Sequence, residues 1–245
     1  MIDFKDVSFQ YGSDRKVIDH ISFHIEKGES VGLIGANGAG KSTIMKLLLG
    51  ILEGEGEIRI SDIPVNRKNL SQIRKICGFV LQNADDQMFM PTVYEDMIFG
   101  PKNYGLSKEE TDKKIDEVLQ LLGIQDLKHR YNHKLSGGEK RMTAIATVLA
   151  MEPEVLLMDE PSAALDPYNR RMVINIIKQL PQTKIITSHD LDMILDTCDR
   201  VILLGNGKVV ADGECREILA NRELLEENRL ELPLSLMYQK EKELL

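Results

Sequence analysis

Tryptophan is absent from this 245-residue chain, and aromatic residues make up only 5% of it. Broad stacking platforms for nucleobases are therefore not expected. Basic charge is in deficit: 31 Lys and Arg stand against 39 Asp and Glu, giving a net charge of −8. A general nucleic-acid binder has the opposite balance, so no nucleic-acid partner is expected. Cysteine is scarce. Cys77, Cys198 and Cys215 lie far apart, with neither metal-ligand nor redox spacing, and read as reduced structural thiols of a cytosolic protein. No uncharged apolar run approaches the ~18–20 residues needed to span a bilayer. The opening Met1-Ile2-Asp3-Phe4-Lys5 lacks the apolar core of a signal peptide. Any membrane role is expected to be peripheral. What is present is a globular balance, 42% hydrophobic and 29% charged, enough for one large domain or one domain with a lobe.

Short apolar runs alternate with helical stretches. Ile2, Phe4 and Phe9 keep an imperfect strand spacing, and residues 21–26 alternate cleanly. Ser30–Ile34 is a short apolar run, a buried strand, and a glycine-rich loop follows it directly. Ile44, Leu47, Leu48 and Ile51 then keep helical spacing. Further strands are expected at Ile58–Ile60, Cys77–Leu81, Val155–Met158, Lys184–Thr187 and Val201–Leu204. Strands separated by helices argue for a parallel sheet with crossover helices. The stretch 83–135 is rich in Lys, Glu and Asp and reads as an inserted helical lobe. Ser107 and Glu110 form a capping box at the start of its clearest helix. From about Glu214 onward the chain reads as helical and charged, broken near Pro233.

Gly35-Ala36-Asn37-Gly38-Ala39-Gly40-Lys41-Ser42-Thr43 carries the spacing of a phosphate-binding loop between strand and helix. Its glycines let the backbone N–H groups converge on one anion, at the positive end of the following helix. Lys41 would reach the β and γ phosphates, and Ser42 would hold Mg²⁺. Val155–Met158 followed by Asp159 and Glu160 is a buried strand that delivers two carboxylates at its C-terminal end. There Asp159 would hold Mg²⁺ and Glu160 would polarise the attacking water. Leu135-Ser136-Gly137-Gly138-Glu139 opens another helix. Ser136 and Glu139 form a capping box, but a helix start alone does not explain two glycines in one turn, each costing up to ~1 kcal/mol. Close approach of a phosphate does.

At this point the chain resembles the ATP-binding cassette family, along nearly its whole length. The resemblance implies an α/β P-loop NTPase core with a mostly parallel sheet, an N-terminal antiparallel β subdomain and an inserted α-helical subdomain. It implies an ATPase domain over 1–220, with the helical subdomain at 83–150, and a short C-terminal helical extension over 221–245 that dimerises. The cofactors would be ATP and Mg²⁺. Tyr11 is similar to the aromatic that stacks on adenine. Gln82 is similar to the Q-loop glutamine that touches Mg²⁺ and relays to the membrane partner. Leu135 to Glu139 would cap the γ-phosphate bound by a facing subunit, and Asp166, in Ser-Ala-Ala-Leu-Asp, would cross the dimer interface. His189, after the strand 184–187, is similar to the switch histidine; a lone His there is more often a strand-end cap. The chain has Glu139 where the family usually has Gln, and Ser162 and Ala164 where Thr and Gly are frequent.

A narrower resemblance rests on Gln82-Asn83-Ala84-Asp85-Asp86-Gln87-Met88-Phe89, Thr92-Val93-Tyr94-Glu95-Asp96 and Phe99-Gly100-Pro101. These look like the ATPases of energy-coupling-factor importers, although relatives often have Pro in place of Ala84. Ala146–Pro153, the segment around Asp166 and Leu230 to Leu234 look most like the cobalt or nickel branch; a vitamin importer is the alternative, and a soluble non-transport cassette ATPase a more distant one. No Cys/His cluster for cobalt or nickel is present. The implied partners are a second ATPase subunit, a copy of this chain in preference to a paralogue, a transmembrane coupling subunit and a membrane substrate-binding subunit. The implied location is the cytoplasmic face of the cell membrane. Met88, Phe89, Met97 and Phe99, rimmed by acids, suit a groove for a basic amphipathic helix.

Overall fold

Apolar runs in this chain are short, and each becomes one strand or one helix face. The structure, a computed structural model, describes residues 1–12 and 15–237. In chain order the first elements are β1 (Ile2–Phe9), β2 (Ile18–Ile25), β3 (Ser30–Ile34), α1 (Lys41–Leu48), β4 (Glu55–Ile60), β5 (Ile63–Pro64) and α2 (Leu70–Ile76). Next come β6 (Cys77–Val80), α3 (Ala84–Gln87), α4 (Val93–Asn103), α5 (Lys108–Leu122), α6 (Gly137–Leu149), β7 (Val155–Asp159) and α7 (Pro167–Gln179). The chain continues with β8 (Thr183–Thr187), α8 (Leu191–Thr197), β9 (Arg200–Gly205), β10 (Lys208–Glu214), α9 (Cys215–Ala220) and α10 (Arg222–Glu227). It divides into two compact units, residues 1–74 with 181–245, and residues 75–180.

In the first unit β1 pairs antiparallel with β2 and β4, and β4 with β5. Phe4 and Phe23 face each other across β1 and β2 with stacked rings 4.4 Å apart. In the same unit β3 runs parallel to both β8 and β9, and β10 is antiparallel to β9. Every residue of β3 and β8 is buried, as central strands require. Arg200 fixes the strand ends: it donates to both Asp212 carboxylate oxygens, at 2.6 and 2.7 Å, to Glu29 at 3.2 Å and to the His24 carbonyl at 2.9 Å. Beyond α10, whose Leu225 is buried, residues 234–237 form a helical turn. The Asp192 carboxylate accepts the N–H groups of Leu234 and Ser235, both at 3.0 Å, and Leu232 and Leu236 are buried. The expected extension reaches residue 245; positions 238–245 lie outside the described residues.

In the second unit β6 and β7 pair in parallel. α4, α5 and α6 each begin at a capping box, on Thr92 with Glu95, Ser107 with Glu110 and Ser136 with Glu139. Two expectations change. The strand expected over 77–81 stops at Val80, because the Leu81 N–H donates to the Gln87 side-chain oxygen at 3.0 Å instead of to a ladder. β10 is a strand the apolar pattern did not reveal: one residue in two along it is exposed. Its signal was the Asn206-Gly207 pair, both at positive φ, which makes a hairpin turn.

All three cysteines are free and buried. Burial is the main cause that pushes the Cys77 and Cys215 thiols up to about 12 and Cys198 up to about 11. At pH 8 the thiolate, the reactive form, is then at most roughly one part in a thousand. A thiol reagent at pH 8 is expected to leave all three unmodified in the native protein and to label all three in denaturant. Rapid native labelling of any one would contradict the packing described.

Candidate nucleotide-binding site

β3 carries the chain from the buried core directly into the loop Gly35–Gly40. Gly40, which caps α1, sits at φ +106, and a side chain there would strike Ile18 Cδ1 at 2.5 Å and the Val17 carbonyl at 3.1 Å. No side chain caps α1, and the start of a helix is where backbone N–H groups and the helix dipole favour an anion. The Ala39 N–H turns back to the Ala36 carbonyl at 3.1 Å, while Asn37 and Gly38 are exposed at the crest. Lys41 is buried, and its ammonium lies over the loop, donating to the Gly35 carbonyl at 2.6 Å and the Ala36 carbonyl at 3.2 Å. Ser42 is exposed; Thr43 is buried, 3.4 Å from the Tyr11 hydroxyl. The Tyr11 ring itself is exposed, with one edge against Phe9. A loop of this form fits a nucleotide triphosphate.

His189 follows β8 and is exposed. Asp190, the next residue, caps α8, accepting from Met193 N–H at 3.0 Å.

In the second unit β7 ends at Asp159, half-buried, and Glu160, 8% exposed. Glu160 takes a left-handed backbone, φ +49, costly for a residue with a side chain. The carboxylate of Asp159, the hydroxyl of Ser42 and the carboxamide of Gln82 are hard oxygen donors of the kind Mg²⁺ takes alongside phosphates. Asp166 caps α7, accepting from Asn169 N–H at 3.0 Å and Tyr168 N–H at 2.9 Å, and the bonds from the Asn169 backbone and side chain are the first causes that hold its carboxyl below the usual range. Leu135 is buried just ahead of the α6 cap, Ser136. Glu139 accepts from Ser136 N–H at 2.7 Å and from Arg130 at 2.8 Å; the bond from Ser136 is the first cause that lowers its pKa.

The two glycines of that helix are not equivalent. A Cβ built on Gly137 meets nothing within 4 Å; one built on Gly138 would lie 2.3 Å from Asn169 Cγ. Phosphate approach was the sequence argument for both, and for Gly138 the structure supplies a second reason within the chain.

Sequence reasoning missed the groups that hold Gln82. Arg141, buried on α6, donates to the Leu81 carbonyl at 2.7 Å and also to the Gln82 carbonyl. Gln87 donates to the Ala144 carbonyl at 2.6 Å and the Thr147 hydroxyl at 2.9 Å, and Lys140 pairs with Asp85 at 2.6 Å. Residues 81–87 are thus fastened to α6 at several points. A charged residue on the apolar side of α6 was the available signal. Asp96 is buried and accepts from the N–H groups of Phe89 at 3.2 Å and Met90 at 3.1 Å, and from the Asn132 amide. Of the proposed groove residues, Met97 is wholly buried and belongs to the core. Phe89, 63% exposed, and Phe99, 41% exposed, remain at the surface as an edge-to-face pair 4.9 Å apart.

A profile of the ABC transporter family matches residues 18–163. The chain is 40% identical over 239 residues to the energy-coupling factor transporter ATP-binding protein EcfA of Methanocaldococcus jannaschii, covering 95% of this chain and 86% of that one. The structure of cbiO1 from Clostridium perfringens, part of the ABC transporter complex cbiONQ, superimposes with a TM-score of 0.84 at 34% identity, covering 98% of both chains. The ATP-binding cassette MJ0796, a dimer in a post-hydrolysis state bound to ADP and Pi, gives a TM-score of 0.78 at 27% identity, over 88% of this chain and 99% of that one.

The Arg141 clamp yields a direct check. Lysine lacks the fork that reaches two carbonyls at once, so Arg141→Lys leaves one of them unmet, at a cost of about 1–3 kcal/mol. The melting temperature of the chain is expected to fall by several degrees. An unchanged melting temperature would show that the clamp contributes nothing.

Proposed function

The chain belongs to the ABC transporter family, and from that premise we propose that it is the ATP-hydrolysing subunit of an energy-coupling-factor importer of a micronutrient, cobalt or nickel ions in preference to a vitamin. The coarser statement needs no proposal: it is an energy-coupling-factor type ATPase of a transporter, with the ABC ATPase fold. The reading is carried by one observation, that a phosphate loop and a complete Ser136-Gly137-Gly138 cap occur in one chain. Such a chain has both halves of a composite site and uses them on two nucleotides when paired with a copy of itself.

In this reading Tyr11 stacks on adenine. The backbone from Gly35 to Thr43 wraps the phosphates, and Lys41 leaves the loop carbonyls for the β and γ phosphate oxygens. Ser42, Gln82 and Asp159 would hold Mg²⁺, which would supply positive charge to neutralise the phosphates. Glu160 orients the attacking water and takes its proton, and His189 contacts the γ-phosphate. The attack forms a new P–O bond as the bond to the β-phosphate breaks, leaving ADP and phosphate. Ser136 and Gly137 of the facing subunit close over the γ-phosphate, so binding drives closure and hydrolysis reverses it. Asp166 lies in the segment that meets the partner.

No helix among the described residues is long and apolar enough to cross a membrane. A peripheral place at the cytoplasmic face, on a transmembrane coupling subunit joined to a membrane substrate-binding subunit, fits that finding. The exposed Phe89–Phe99 pair, with Asp85, Asp86 and Glu95 nearby in sequence, suits a basic amphipathic helix from the coupling subunit. Pairing with a copy of itself is favoured over a paralogue, because Glu160 and the cap are both intact. The cobalt or nickel preference draws on the likeness to cbiO1 and on the segments 146–153 and 230–234.

Glu160→Gln keeps the shape and loses the base. Turnover is expected to fall at least ~100-fold while ATP accumulates a dimer on sizing chromatography. A variant with wild-type turnover would refute the role of Glu160.

A further inference from the structure

The signature segment and the segment around Asp166 are joined by one side chain. Asn169 stands in the first turn of α7, and its backbone N–H donates to Asp166 Oδ1 at 3.0 Å. Its side-chain amide donates to the other oxygen of the same carboxylate. A residue held to one carboxylate by its backbone N–H and again by its carboxamide has little freedom to turn, because bonds to a charged acceptor are stronger than neutral ones. The other side of this fixed group is pressed against α6. A Cβ on Gly138 would come within 2.3 Å of Asn169 Cγ, 2.4 Å of Oδ1 and 2.5 Å of Nδ2. Gly138 is buried there, while Gly137, one residue earlier, looks into open space.

We propose that Asn169 is a positioning residue. It is a spacer of fixed length that sets the start of the signature helix against the Asp166 turn, so that both reach the facing subunit's nucleotide in one register. The inference rests on the composite-site reading above. It assigns the two glycines separate tasks: Gly137 leaves room for the ligand, and Gly138 leaves room for the spacer. Asn169 touches no substrate in this scheme and acts through Ser136, Gly137 and Asp166. Displacing a reacting constellation by about 1 Å is enough to cost on the order of 100-fold in rate, so a spacer of this kind governs turnover at a distance.

The test uses the full chain with Glu160→Gln as parent, scored by the ATP concentration at which dimer forms, together with turnover in the Glu160 chain. ATP binding by the separate subunit and the melting temperature are followed alongside. Asn169→Ala and Asn169→Asp are both expected to raise the ATP requirement for the dimer and to lower turnover by about tenfold or more. The Asp variant keeps the volume but loses the donor and repels Asp166. ATP binding by the separate subunit is expected to stay as in the parent, since the phosphate loop is untouched. Gly138→Ala alone is expected to be defective, and adding Asn169→Ala to it to restore dimer formation, because the methyl group enters the volume the carboxamide leaves. A parent that forms no ATP-dependent dimer refutes the composite site itself. A parent that dimerises, with Asn169→Asp or Asn169→Ala indistinguishable from it, overturns the spacer alone. So does a Gly138→Ala defect that Asn169→Ala fails to relieve, since that glycine would then be required by the phosphate.

Discussion

A phosphate chain in water is already surrounded by good hydrogen-bond donors. A protein can hold it only if its own donors are arranged in advance and cost little to bring together. The loop Gly35–Gly40 meets that condition. Its curl requires φ +106 at Gly40, where any side chain would also collide with Ile18. The Lys41 ammonium is kept above the crest by the carbonyls of Gly35 and Ala36. β3, buried throughout and flanked by β8 and β9, is the rigid support that keeps this loop in place.

In the composite-site reading the second unit serves presentation. Its helices begin at capping boxes, and its polar side chains are spent on fastening loops to helices. Arg141 and Gln87 hold residues 81–87 to α6, Asp96 holds the turn at Phe89 and Met90, and Asn169, bonded to Asp166, packs close against Gly138. The result is that Gln82, the Ser136 cap, Asp166 and the Phe89–Phe99 pair are carried on one connected framework. Glu139, in place of the family's usual glutamine, fits this economy, because its charge gives Arg130 a partner while it still closes the capping box.

Backbone elements were legible in the sequence where a pattern had one physical meaning. Ser30–Ile34 is apolar, short and followed by glycines, and only a buried strand fits. Ser107 and Glu110 mark a helix start because both side chains have reciprocal backbone partners there. β10 was missed because it is half exposed, and its turn pair Asn206-Gly207 said more than its hydrophobicity. Leu81 is apolar and continues the strand pattern, yet the side-chain oxygen of Gln87, six residues on, takes its N–H. Side-chain ties of this kind, from Gln87 and Asn169, have no period and no motif, so they come to light only in three dimensions; Arg141 alone of the three carries a signal, a charge on the apolar side of α6. Met97 shows the converse: its place beside exposed aromatics in sequence did not decide its burial.

The central claim concerns which surface closes over the nucleotide. A structure of the Glu160→Gln chain with ATP bound, determined in solution conditions where it dimerises, measures this directly. The account predicts that Ser136 Oγ and the Gly137 N–H of one subunit lie within hydrogen-bond reach, about 3 Å, of the γ-phosphate held by the other subunit's Lys41. A nucleotide-bound dimer in which residues 136–138 face away from every triphosphate would contradict it.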